Sequence, residues 1–89
     1  MQLEGKVALI TGGTRGIGRG IAEAYLREGA KVAINGRNKD KGEQALKEFD
    51  AGDRAVFLQG DVMSQADIDA VVDGTVDRFG RIDILVNNA

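Results

Sequence analysis

Four short apolar runs, alternating with three stretches of helical periodicity, restrict what this chain can become. The runs are residues 6–11 (KVALIT), 31–35 (KVAIN), 55–59 (AVFLQ) and 82–89 (IDILVNNA). The first is continuous rather than alternating, the pattern of a strand covered on both faces. After the first run, Ile17, Ile21, Ala22, Tyr25 and Leu26 recur at helical spacing, and Gly29 supplies a stop. A weaker helix is expected from about Lys39 to Phe49, with Ala45, Leu46 and Phe49 on one face. Ser64-Gln65-Ala66-Asp67 reads as a variant capping box. Ile68, Val71, Val72, Val76 and Phe79 form the expected buried stripe of the helix it opens, and Gly80 ends that helix. The order is therefore β-α-β-α-β-α-β. Strands joined by crossover helices make a parallel sheet, and right-handed crossovers leave few topologies. The expected class is α/β, half of a doubly wound sheet.

At 89 residues the chain is one domain at most, and one this short buries only about 60% of its unfolded surface. It has no cysteine, which removes disulfides and thiolate metal sites, and no histidine, which removes the commonest general base. A net charge of −2 with both signs interspersed gives no basic face for nucleic acid. No apolar run approaches the roughly 18 residues of a membrane span. The opening Met-Gln-Leu-Glu-Gly-Lys lacks a signal-peptide h-region, so a cytoplasmic protein is expected. The last run stops at a strand's carboxyl end without a returning helix, which reads as the first part of a longer protein.

Proline is absent and glycine numerous, and the glycines are placed rather than scattered. Four fall between positions 12 and 18, where the first strand hands over to the first helix. Unpaired N–H groups and the helix dipole make such a junction an anion site, and glycine belongs where backbone must approach the ligand. The spacing is not G-x-G-x-x-G. Gly13 to Gly18 has the gap of a P-loop, but Arg19-Gly20 follows where lysine and a hydroxyl are required, so phosphoryl-transfer readings fail. The pattern that fits is T-G-x-x-x-G-x-G on Thr11, Gly12, Gly16 and Gly18. Gly12 releases the strand into a turn, Gly16 lets backbone meet pyrophosphate, and Gly18 lets helix pack closely on strand.

TGGTRGIG, with GKVALITGG before it, GDV at residues 60–62 and DILVNNA at the end, resembles the short-chain dehydrogenase/reductase family along the whole chain. The resemblance is nearest to bacterial 3-oxoacyl-carrier-protein reductases and sugar dehydrogenases. It implies a Rossmann dinucleotide-binding portion over residues 1–89, with Gly12, Gly13, Thr14, Arg15, Gly16, Ile17 and Gly18 at the cofactor. It also implies that the Asp61 carboxylate accepts from the adenine amino group and that Val62 meets the ring. Asn87 and Ala89 would line the adenosine side, while the Asn88 side chain ties neighbouring strands.

An NAD site carries an acidic residue at the end of the second strand, about 20 residues past the glycines. Here that place reads Asn35-Gly36-Arg37-Asn38, and Asp40 falls in the next helix's first turn. Asn35-Gly36 also suits a hairpin turn, but helical periodicity follows it. Arg37 offers a planar fork suited to a 2′-phosphate, and Arg15 can close on the same group. NADP(H) is therefore expected over NAD(H).

The resemblance implies hydride transfer between a carbonyl and an alcohol, using a serine, a tyrosine with a lysine four residues on, and a later asparagine. None can be placed here: Tyr25 is followed four positions on by Gly29, and Ser64 reads as a helix cap. No catalytic or metal residue is assigned, and the 89 residues alone are expected to be inactive. The parent is expected to be an oxidoreductase of a small carbonyl or alcohol, assembled as a homodimer or homotetramer by family analogy. The alternative is a dinucleotide-binding module or redox sensor without chemistry.

Overall fold

Each apolar run becomes a strand and each periodic stretch a helix. The computed structural model describes residues 2–14 and 16–88; Arg15 and Ala89, both expected at the cofactor, lie outside the described residues. The elements are β1 (Val7–Thr11), α1 (Gly16–Arg27), β2 (Lys31–Gly36), α2 (Lys39–Phe49), β3 (Ala55–Gln59), α3 (Gln65–Phe79) and β4 (Ile84–Asn87), with one 3₁₀ turn (Gly52–Arg54) before β3. The strands pair in parallel in the order β3-β2-β1-β4. This is the N-terminal half of a doubly wound Rossmann sheet.

Strand order explains why the first two runs are the most continuous. β1 and β2 are central, and Val7 to Ile10 and Val32 to Asn35 are buried without interruption. Ala8, Ile10, Val32 and Ile34 face α1 and α2, packing with Ala22, Leu26 and Ala45. Leu9 and Ala33 alternate to the other face and meet Val71 of α3. Leu9, Ile10 and Ile34 are fully buried, and each such side chain contributes about 1.5–3 kcal/mol relative to exposure.

The helices start where their caps dictate. Asn38 accepts from the Lys41 N–H at 3.1 Å, and the Ser64 hydroxyl accepts from the Asp67 N–H at 3.3 Å. Asp40 lies in the first turn of α2, as expected. α3 ends on Gly80, while α2 ends on Asp50. No helix among the described residues is long and apolar enough to cross a membrane.

Two apolar positions depart from expectation. Ile17, read as part of the first helix's buried stripe, is 76% exposed; Gly18, Ala22 and Leu26 carry the buried face instead. Val76 is 41% exposed, and Thr75 takes its place inside, its hydroxyl donating to the Val71 carbonyl at 2.8 Å. The helix rotates to seat small residues against the sheet: Gly74 sits over the Leu58 side chain, where a Cβ would come within 3.2 Å. The fourth run forms an edge strand whose side chains alternate half-buried and exposed, with Leu85 62% exposed. A run of apolar residues reports strand propensity, not whether the neighbour that would cover it is present.

Candidate functional site

The parallel register brings the carboxyl ends of all four strands to one edge of the sheet: Thr11 lies beside both Asn35 and Asn87, and Gly36 beside Gln59. α1 and α2 leave this edge toward one face, whereas α3 packs on the other. The chain therefore diverges between β1 and β4, and a crevice opens at the switch point. A cleft of about 660 Å³ occupies it, within the range of small-molecule and cofactor sites.

Gly12, Thr14, Gly16 and Ile17 line the cleft from the first strand-to-helix turn. Arg37 lines it from beyond β2, and Asp61 and Val62 from beyond β3. Seven of the expected positions thus converge. Gly13, Gly18 and Asn87 stand outside the lining. The Gly13 N–H donates to the Asn35 carbonyl at 3.1 Å, so it is not aimed at the cleft.

The glycines divide by physical cause. Gly12 turns with φ +67°, and a Cβ there would overlap the Asn88 carbonyl oxygen. At Gly18 a Cβ would meet the Gly12 carbonyl and lie 2.6 Å from Asn88 Nδ2; at Gly13 it would lie 2.7 Å from Ile34 Cγ2. Those three are demanded by packing. Gly16 has φ +62° with nothing within 4 Å of its Cβ position, so protein packing leaves that space free. Gly16 lines the cleft, so a side chain there would take up space beside any ligand.

The Thr11 hydroxyl closes the floor. It accepts from the Asn88 N–H at 3.0 Å and lies within donating distance of the Val86 carbonyl (3.3 Å) and Asn87 Oδ1 (3.1 Å). Asn87 therefore turns its side chain to β1, and Asn88 Nδ2 reaches the Gly12 carbonyl at 3.5 Å.

Asp61 is held from two sides. Its N–H donates to Asp67 Oδ2 at 2.8 Å, and its Oδ1 accepts from the Met63 N–H at 2.9 Å. The capping box is thus displaced: the Asp67 carboxylate reaches past Ser64 to Asp61. Among the described residues Asp61 Oδ2 takes no hydrogen bond.

Beside the main cleft, and sharing Thr14 and Arg37 with it, lies a second recess of about 580 Å³ lined also by Asn38, Lys39, Asp40 and Lys41. Three cations against one carboxylate make it a place for an anion. Arg19, where a P-loop has its lysine, pairs with Glu48 and lies over the Phe49 ring, 5.7 Å from its centroid.

Sequence reasoning missed Asn35. It is 1% exposed, and its Nδ2 donates to the Leu58 carbonyl at 3.0 Å and the Gly60 carbonyl at 3.1 Å. The signal was an asparagine ending a run of buried-strand type.

With this geometry in place, comparison with known proteins is decisive. The sequence profile of the short chain dehydrogenase family matches residues 6–89. The chain belongs to that family. It is 53% identical over 89 residues to a sorbitol dehydrogenase of Cereibacter sphaeroides, covering all of this chain and 34% of that protein. It is 46% identical over 88 residues to an NADP-dependent (R)-specific alcohol dehydrogenase of Lentilactobacillus kefiri, covering 99% of this chain and 35% of that protein. Its fold matches the 3-ketoacyl-(acyl-carrier-protein) reductase of Brucella melitensis complexed with NADH, with TM-score 0.92 and 47% identity, over 98% of this chain and 35% of the other. The chain thus spans about a third of the length of the curated dehydrogenases it matches. Both NADP and NADH occur among these relatives.

Proposed function

We propose that residues 1–89 are the dinucleotide-binding portion of an NADP(H)-preferring oxidoreductase that interconverts a carbonyl and an alcohol. The observation that carries this is the open, left-handed Gly16 at the mouth of the switch-point cleft. Bare backbone beside a helix N-terminus suits a pyrophosphate. Gly12, Gly13 and Gly18 let the turn close tightly beneath it. Thr14, Arg15 and Ile17 complete the loop around the diphosphate. Asp61 Oδ2 accepts from the adenine amino group, and Val62 meets the ring. Asn87 and Ala89 border the ribose.

Arg37 and Arg15 take the 2′-phosphate, supported by the cationic recess that Arg37 shares with Lys39 and Lys41. The nicotinamide of the bound cofactor supplies or accepts hydride. This chain's part is to bind and orient it. Tyr25 is half-buried and packed against the core, away from the cleft, so no group here is assigned to proton transfer.

The test is an assay of the full-length protein with NADPH and NADH against a panel of carbonyl substrates. NADPH oxidation with at least one carbonyl is expected. Tight NADPH binding without turnover on any of them would make the protein a dinucleotide sensor instead. Arg37→Asp should weaken NADPH binding by about tenfold to a hundredfold, the value of one charge-assisted hydrogen bond, and improve relative NADH binding. An unchanged preference removes Arg37 from the 2′-phosphate.

A further inference from the structure

We infer that Asn35 is a positioning residue that sets the adenosine half of the site, an inference resting on the dinucleotide reading above. Three strand ends meet at this one residue. Its backbone carbonyl accepts from the Gly13 N–H at 3.1 Å, holding the glycine turn against β2. Its side chain, 1% exposed, bridges the Leu58 and Gly60 carbonyls at 3.0 and 3.1 Å. Both hydrogens of one amide are thereby committed to the last residues of β3 and the turn that carries Asp61 and Val62.

A backbone ladder would not do this work alone. Parallel pairing ends at Gly36 with Gln59, and beyond it the Gly60 N–H still donates to the Gly36 carbonyl at 3.0 Å. The Gly60 carbonyl accepts from the Asn35 amide, its donor among the described residues. The Gly60 carbonyl is half-buried, and a partly desolvated carbonyl that loses its donor loses stability, so removing the amide frees the Gly60–Asp61 peptide to rotate toward another partner. Rotation there moves the Asp61 N–H off Asp67 and the Asp61 carboxylate off its bearing. The glycine turn, held by backbone atoms of Asn35, stays in place. Asn35, itself part of the cleft lining, thus governs the separation between the phosphate-binding turn and the adenine-binding turn.

The prediction is asymmetric, which separates positioning from general stability. In the full-length protein, Asn35→Leu keeps approximate volume and removes both donors. Titration calorimetry with 5′-AMP should show affinity about tenfold weaker, while nicotinamide mononucleotide should bind within about twofold of wild type. KM for NADPH should rise in parallel with the AMP loss, with kcat at saturating NADPH unchanged. Asn35→Asp serves as a second variant if Asn35→Leu does not fold, because it preserves shape while facing the two carbonyls with an acceptor; the same asymmetry is expected. Equal loss for AMP and nicotinamide mononucleotide, or no loss in a folded variant, overturns the inference while leaving dinucleotide binding intact. Wild-type protein that binds neither half overturns the underlying reading and this inference together.

Discussion

Gly16 and Gly18 stand two positions apart and answer to different constraints. Gly18 has no room for a side chain, because the Gly12 carbonyl and the Asn88 amide occupy it. Gly16 has room but a left-handed backbone, which costs an L-residue about 1–2 kcal/mol. Gly18→Val should therefore destabilise the full-length protein by about 3 kcal/mol through overpacking against backbone. Gly16→Val should cost only the conformational strain yet abolish detectable NADPH binding, since its side chain would stand at the cleft lining where the pyrophosphate is proposed to sit. Thermal melts paired with NADPH titration separate the two. A Gly16→Val protein that retains affinity shows that the pyrophosphate lies elsewhere. Asn35 teaches a complementary lesson at this scale: an asparagine in an apolar run becomes meaningful only when the two carbonyls it bridges, 23 and 25 residues away, are known.

Among the elements, β4 is attached partly through side chains. It pairs with β1 over four residues, and Asp83 fastens its approach. Asp83 Oδ2 accepts from the Val7 N–H at 2.9 Å, its own N–H donates to the Val7 carbonyl at 2.8 Å, and Oδ1 takes the Arg81 guanidinium at 2.6 Å. The Arg81 hydrogen bonds first, and the Val7 N–H after them, hold the Asp83 carboxyl below the usual carboxylate value. A carboxyl depressed in the folded state stabilises above its unfolded pKa of about 3.9 and loses that contribution as pH falls through the lower folded value. Asp83→Asn should lower the urea midpoint at neutral pH and flatten the acid limb of stability. Urea melts at a series of pH values check this, and an acid limb identical to wild type would remove Asp83 from it. The helices were more legible. Asn38 and Ser64 cap as their local sequence indicates, because capping is decided within four residues. The reach of Asp67 past Ser64 to Asp61 was not legible, since it depends on how the β3–α3 turn folds back.

For the molecule as a whole, the cleft is assembled from the ends of every strand, so a ligand there braces β1, β2, β3 and β4 at once. NADPH at a hundred times its Kd should raise unfolding free energy by about 2.7 kcal/mol, seen as a rise in Tm that grows with the logarithm of ligand concentration. NADH at the same concentration should raise it less, because Arg37 and its neighbouring lysines gain nothing from a 2′-hydroxyl. Equal shifts would argue against the cationic recess as the selector. Leu85, exposed on the outer strand, lines an apolar recess of about 310 Å³ together with Leu9, Val71 and Val72.

The amino-acid sequence by itself determined the element order, the parallel α/β class, the helix caps and the glycine turn, because each follows from periodicity or from residues a few positions apart. It also placed Arg37 and Asp61 at strand ends, and the structure brings both to one cleft. Tertiary structure alone decided which apolar residues were covered. Val76 and Thr75 exchange places because α3 must rest on Leu58, and Ile17 is exposed because α1 buries its glycine and alanine side. Tertiary structure alone also gave Asn35 its task. Local pattern reports what a backbone prefers; which surface is hidden, and which distant carbonyl needs a donor, is fixed only when strands from opposite ends of the chain lie side by side.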